Sequence, residues 1–293
     1  MRATHEGFLH LLRGYLGEFR VERSNASNHF SAEVGVDREL PGGKLVRGKS
    51  RLYIGGLKIY EGTEPDEMAG RIISGVRDLA TQHSNEFLRI RAGSVELGGR
   101  ALLLPSTPER HLPGLVGAMV RGGAPYLGDE LVRIDPVLSR VHGSPLPLLI
   151  DSTDIALFPE LGRAPVAIRR ALLEDGERLG ARNPRRPVRV DELSGRAADP
   201  TAPGWVVFPT FKLGGPTGLQ ELARAEALFK LTQAMLNLHI WTDRAFVVLQ
   251  DLLATVPTAH LLVGSIPDAA DLLVAAAADL GGGGERAGDP SDA

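Results

Sequence analysis

Apolar residues recur at helical spacing near the start of the chain, where Phe8, Leu11, Leu12, Tyr15, Leu16 and Phe19 share one face and predict a helix. A polar stretch over 22–29 follows. From about 30 to 60 the pattern shortens into β segments punctuated by glycine and proline. Gly42-Gly43 and Gly55-Gly56 mark turns, and residues 50–55 and 57–60 predict a hairpin. Residues 64–82 return to helical spacing, with Met68, Ile72, Ile73, Val76 and Leu79 forming one apolar stripe.

Beyond Phe87 the order becomes strand, turn, strand, loop, helix, strand. Segments 87–95 and 100–104 flank Gly98-Gly99, a loop occupies 105–111, and 113–121 predict a helix with Leu115–Met119 and Val116–Val120 as i, i+4 pairs. One strand over 126–134 then carries Asp129 and Glu130. This order argues for an α/β core with the loop at the C-terminal edge of its sheet. A buried strand is expected at 205–208 and helices at 222–238, 245–255 and 267–280. Residues 163–189 hold eight arginines against three acidic residues. With Pro184 and Pro187 they read as a solvated helix and loop, an anion-binding patch being the alternative. The chain thus divides into an α+β N-terminal region (1–86), an α/β core (87–280) and a glycine-rich disordered tail (281–293).

Composition narrows the chemistry. The 293 residues are 43% hydrophobic and 24% charged, ordinary for a globular protein with a full core. The net charge of −3, from 33 basic and 36 acidic residues, gives no reason to expect a nucleic-acid partner. The absence of cysteine removes disulfides, thiolate metal sites and cysteine nucleophiles. No apolar run approaches the ~18 residues that a membrane span requires, and the first residues lack the apolar stretch of a signal peptide. A cytoplasmic protein without membrane association is the expectation.

A strand, loop and helix followed by an acidic pair on the next strand is the layout of P-loop phosphotransferases. In such sites glycines let backbone N–H groups curl round phosphates, a lysine reaches their oxygens, a hydroxyl holds Mg²⁺, and the acidic residues bind metal or accept a proton. Several segments carry a closer likeness: GGRALLLP, RGGAPYLGDELVRID, GSPLPLLI, WVVFPTFKLGGPTGLQEL and AEALFKLTQAMLN. Through them the chain resembles the HPr kinase-like family, whose fold is shared with phosphoenolpyruvate carboxykinase. The resemblance spans about 87–280 and implies a mixed-sheet P-loop core of that type.

Laid on the family pattern without a gap, the P-loop falls on residues 106–113, and its functional positions are altered. Ser106 and His111 stand where glycines are expected, Leu112 where the lysine should be, and Pro113 where the Mg²⁺-binding hydroxyl should be. Pro113 has no N–H to offer a phosphate, and Glu109 adds a negative charge. Arg91 occupies the position at which the resemblance implies a histidine, and Leu146 the position of an arginine. Asp129, Glu130 and Lys212 remain.

Three functions follow. The first is a catalytically degenerate member of the family that needs no cofactor and binds a protein or peptide partner, as in a peptide or protein modification pathway. The second is a kinase using Mg²⁺ and ATP for a Ser/Thr or small-molecule substrate. Asp129 would then be base or metal ligand, Glu130 a second metal ligand, and Arg91, Ser106, Arg110, His111 and Lys212 the phosphate contacts. The third is a cleft that binds an anion without turnover. Self-association is compatible with the fold the resemblance implies. His142 beside Asp129 would make a metal pair, and Ser106, His111 and Asp129 a hydrolase triad, but no Gly-x-Ser-x-Gly elbow supports the triad. No Gly-x-Gly-x-x-Gly supports a Rossmann dinucleotide site, and Trp205 and Trp241 read as core residues.

Overall fold

The computed structural model describes residues 1–17, 22, 29–63, 65–107, 109–144, 146–151, 153–161 and 185–282. It is a mixed α/β protein. The N-terminal part runs β1 (Arg2–Ala3), α1 (Glu6–Leu16), β2 (Phe30–Glu33), β3 (Arg38–Leu40), β4 (Lys44–Val46), β5 (Ser50–Ile54), β6 (Leu57–Gly62) and α2 (Pro65–His83). Strands β1, β2, β5 and β6 make one sheet in that order, and β3 and β4 form a separate hairpin. Phe8 and Leu12 of α1 and Met68, Ile72 and Val76 of α2 pack on Phe30, Ala32 and Leu52 of this sheet. The expected stripes are therefore the packed ones. Phe19 lies outside the described residues, and the strand β1 precedes the first helix.

The rest comprises β7 (Leu88–Leu97), β8 (Arg100–Pro105), α3 (Leu112–Arg121), β9 (Tyr126–Gly128), β10 (Leu131–Ile134), β11 (Val141–His142), β12 (Leu148–Asp151), β13 (Arg185–Val188), β14 (Pro203–Phe211), β15 (Gly218–Glu221), α4 (Arg224–Ala234), α5 (Leu238–Trp241), α6 (Asp243–Thr255), β16 (Thr258–Val263) and α7 (Ile266–Gly282). The main sheet is ordered β11-β10-β7-β8-β14-β16-β15, with β9 also on β7. Strands β8, β14 and β16 are parallel, while β7 and β15 run against them. Helices α3 and α7 cover one face through Leu115, Val116, Met119, Ala269 and Leu273. Helices α4 and α6 cover the other through Ala227, Leu231, Leu249 and Leu253. Residues 112–120 of α3 are all buried, which explains why that helix is apolar all round.

Four expectations change in detail. The strand expected over 126–134 is two strands, β9 and β10, both paired to β7 and interrupted at Asp129-Glu130. The interruption turns the Asp129 carboxylate inward, where three donors hold it. The helix expected over 222–238 stops at Ala234 because 235–237 leave it to pair with β7. The start of β7 lies beyond the reach of β8, so its backbone groups need other partners. Leu236 N–H donates to Arg89 O at 2.8 Å, and the Asn237 side chain accepts from Arg89 N–H at 2.9 Å and donates to Phe87 O at 2.8 Å. The end of the arginine-rich segment, read as loop, is the strand β13 against β12; residues 162–184 lie outside the described residues. Helix α7 runs to Gly282, two residues into the expected tail, and 283–293 lie outside the described residues. No helix among the described residues is long and apolar enough to cross a membrane.

Candidate functional site

The parallel strands β8, β14 and β16 end at one edge of the sheet, the edge at which ligands of open α/β sheets bind. Three connections meet there: the loop from Ser106 to His111 into α3, the turn from Lys212 to Thr217 after β14, and Gly264-Ser265 before α7. His111 and Phe211 join the first two, with ring centroids 5.8 Å apart. The third is closed by the second. Gly214 N–H donates to Gly264 O at 2.8 Å, and Thr217 Oγ1 accepts from the N–H groups of Gly264 and Ser265 at 3.1 and 3.0 Å. A glycine is required at 264, since any Cβ there would collide with the Gly215 carbonyl.

The first turn of α3 is similarly filled from within the chain. His111 Nδ1 lies 2.9 and 3.0 Å from the two carboxylate oxygens of Asp154. That carboxylate rests directly on the helix, so a Cβ built on Gly114 would come within 2.7 Å of Asp154 Oδ2. Glu109 Oε1 accepts the His111 N–H at 3.2 Å, and Pro113 brings no N–H. Asp154 is 3% exposed, and burial pushes its pKa up despite the opposing pull of the His111 hydrogen bond. Arg110 is drawn aside too, with Nη2 3.0 Å from Thr153 Oγ1 and 3.5 Å from Asp151 Oδ1.

Asp151 belongs to β12, and two residues earlier the same strand meets the acidic pair. Leu149 N–H donates to Asp129 Oδ2 at 2.9 Å. Arg77, reaching over from α2, donates to Asp129 Oδ1 at 2.6 Å and to Pro147 O at 2.5 Å, and lies 3.5 Å from Glu130 Oε2. The Tyr126 hydroxyl donates to Asp129 Oδ1 at 3.0 Å. The Arg77 and Asp129 side chains are only 7% and 1% exposed. Burial opposes the Arg77 charge, but Asp129 and its neighbours outweigh burial and hold the guanidinium pKa above its usual range. Burial, reinforced by Asp129, likewise keeps the Tyr126 phenol neutral, well above its usual pKa.

The residues singled out from sequence are thus brought to one region in three groups. Ser106, Arg110 and His111 lie on the α3 loop, with the Ser106 hydroxyl turned to Thr107 O at 2.7 Å. Lys212 is exposed at the neighbouring turn, its N–H on Val263 O at 2.9 Å. Asp129 and Glu130 are bound to Arg77, and Arg91 stands half-buried on β7 opposite Leu131, its carbonyl accepting the Ser106 N–H at 3.1 Å. The triad of Ser106, His111 and Asp129 is not assembled, because His111 takes Asp154 as its carboxylate. His142 does not join Asp129 either; it pairs with Arg133 across β10 and faces Asp135 at 4.0 Å. Among the described residues, no three His, Asp or Glu side chains group as metal ligands. Sequence reasoning missed Arg77 and Asp154. Neither sits in a motif, and Arg77 meets Asp129 from 52 positions away.

A triphosphate requires backbone N–H groups and cations facing an open turn. Here a carboxylate lies on that turn, a proline removes one donor, and the nearby arginine is held by Thr153 and Asp151. The residues present do not fit Mg-ATP. Comparison of the chain with family models and with curated proteins finds no match.

Proposed function

We propose that the chain is a catalytically degenerate HPr kinase-like protein that binds a protein or peptide partner and does not transfer phosphate. The observation that carries this reading is the Asp154 carboxylate on the first turn of α3, held by His111, where a P-loop would receive phosphate. An anion there must displace a carboxylate that is already hydrogen-bonded and must also face Glu109. Each charge-assisted hydrogen bond forgone is worth about 1.5–3 kcal/mol. With lysine, hydroxyl and one N–H all missing, nucleotide affinity falls by several orders of magnitude. Asp129 supports the same reading, since a carboxylate that accepts from Arg77, Tyr126 and Leu149 serves as a structural tie between α2 and the core.

For the partner, the N-terminal region offers a groove of about 620 Å³ lined by Phe8, Leu11, Val34, Val36 and Leu45. Val36 and Leu45 are 68% and 60% exposed, and His5, Asp37, Arg47 and Thr63 line the same groove, so it offers a partner both apolar and polar contacts. The test is partner capture with and without nucleotide. Under this reading a captured partner binds equally well in Mg-ATP and in EDTA, and Asp154→Ala leaves the protein without kinase activity. Phosphate transfer from ATP by the purified wild type would overturn it.

A further inference from the structure

The strands flanking this edge carry a row of basic groups that no part of the site above uses. Arg89 on β7 is the direct cross-strand partner of Arg133 on β10, and Arg133 is the direct partner of His142 on β11. Directly opposed residues of antiparallel strands project from the same face. The three side chains therefore stand side by side. Phe87 packs against this row, its ring 5.3 Å from the Arg133 guanidinium and 5.0 Å from the His142 ring.

The row is short of partners. Arg89 Nε, Arg133 Nε and His142 Nε2 are all buried without a hydrogen-bond acceptor. Arg133 reaches the Gly143 carbonyl through its other end, while Arg89, only 5% exposed as a residue, has no side-chain hydrogen bond among the described residues. The carboxylates nearby do not answer this need. Glu86 acts on both guanidiniums from a distance, and Asp135 already accepts the N–H groups of Val137 and Leu138 at 2.8 and 2.9 Å. Burial lowers the pKa of both arginines, so their charged forms are disfavoured where they stand. Like charges directly opposed across a sheet destabilise it, and an orphaned buried donor adds to that cost. Arginine cannot relieve the strain by losing its proton.

We propose that the Arg89–Arg133–His142 row is a binding site for an oxyanion group, a phosphate or a carboxylate, gripped by the two guanidinium forks. Such a group presents several acceptor oxygens to the forks, matches guanidinium geometry and offsets the opposed charges. The site is separate from the α3 turn, where the chain's own carboxylate occupies the anion position.

Thermal-shift and calorimetric titrations of the full chain with sodium phosphate, with acetate, and with chloride at matched ionic strength test this. Phosphate or acetate raises Tm and chloride does not; which of the two acts identifies the group. Arg89→Met weakens the effective anion about tenfold or more, while in anion-free buffer it is at least as stable as the wild type, because one of two opposed charges is gone. Arg133→Met behaves alike in the titration, and Arg110→Met keeps the full response. Should Arg133→Met fail to fold for want of its bond to Gly143, Arg89→Met alone decides. No anion-specific shift in the wild type, an equal shift with chloride, or a response kept in Arg89→Met and lost in Arg110→Met would each overturn the proposal.

Discussion

Replacing Asp129 by asparagine separates a structural from a catalytic role for the acidic pair. The substitution removes the charge opposite Arg77, whose side chain is 7% exposed, but keeps the size and shape of the carboxyl. One amide oxygen can still accept from Arg77 and Tyr126, but the amide nitrogen then faces the Leu149 N–H, donor against donor. The buried guanidinium then faces the partly exposed Glu130 carboxylate at 3.5 Å, and breaking a buried pair from one side costs about 3–5 kcal/mol. In a chain of this size that lowers Tm by on the order of 10 °C. Urea denaturation followed by circular dichroism measures the loss, with Arg77→Met and the double variant completing a cycle. The double variant should lose about 2 kcal/mol less than the sum of the singles, since it no longer holds a buried guanidinium facing a neutral amide. If Asp129 were a solvent-facing acid kept for chemistry, Asp129→Asn would cost under about 0.5 kcal/mol. A loss that small, or strict additivity in the cycle, would refute the argument.

Three further outcomes follow from the geometry. Gly114→Ala places a Cβ 2.7 Å from Asp154 Oδ2, so it pushes that carboxylate off the helix and breaks its bond to His111; the His111 ring signals in NMR spectra at fixed pH should move away from their wild-type positions. The raised pKa of Asp154 means that the folded state holds this proton more tightly than the unfolded chain does. Its contribution to stability is present at low pH and is lost as pH rises above the ordinary 3.8 through the folded value. Denaturation midpoints measured upward from about pH 4 should show this fall in the wild type and lack that component in Asp154→Asn. Asn237→Ala strands the Arg89 N–H and the Phe87 carbonyl at the start of β7 and should cost about 2–4 kcal/mol, read from the urea midpoint.

The parts of this fold legible in the sequence are those with strong local signals. The stripes of α1 and α2, the Gly98-Gly99 hairpin, the buried helix α3 and the strand around Trp205–Phe208 all follow from spacing and turn residues. What the sequence did not disclose depends on partners far along the chain. The Asp129 break looks like continuous strand until Arg77, Tyr126 and Leu149 are seen to converge on it. The segment 235–237 keeps helical spacing but gives up its helix to satisfy β7. At the site, the departures of Leu112 and Pro113 from the pattern that the resemblance implies could be read residue by residue, and the proposal of a degenerate loop rests on that resemblance. That Asp154 fills the space could not be read, since an aspartate 43 positions from His111 carries no local mark of its partner.

The reading proposed above has the turn before α3 closed to nucleotides by the Asp154 carboxylate. Isothermal titration of Mg-ATP into the purified chain tests it most directly, with Mg-GTP alongside and a repeat in EDTA. No saturable heat is expected at millimolar nucleotide. Micromolar, magnesium-dependent binding would contradict it and return Arg110, His111 and Asp129 to a catalytic site.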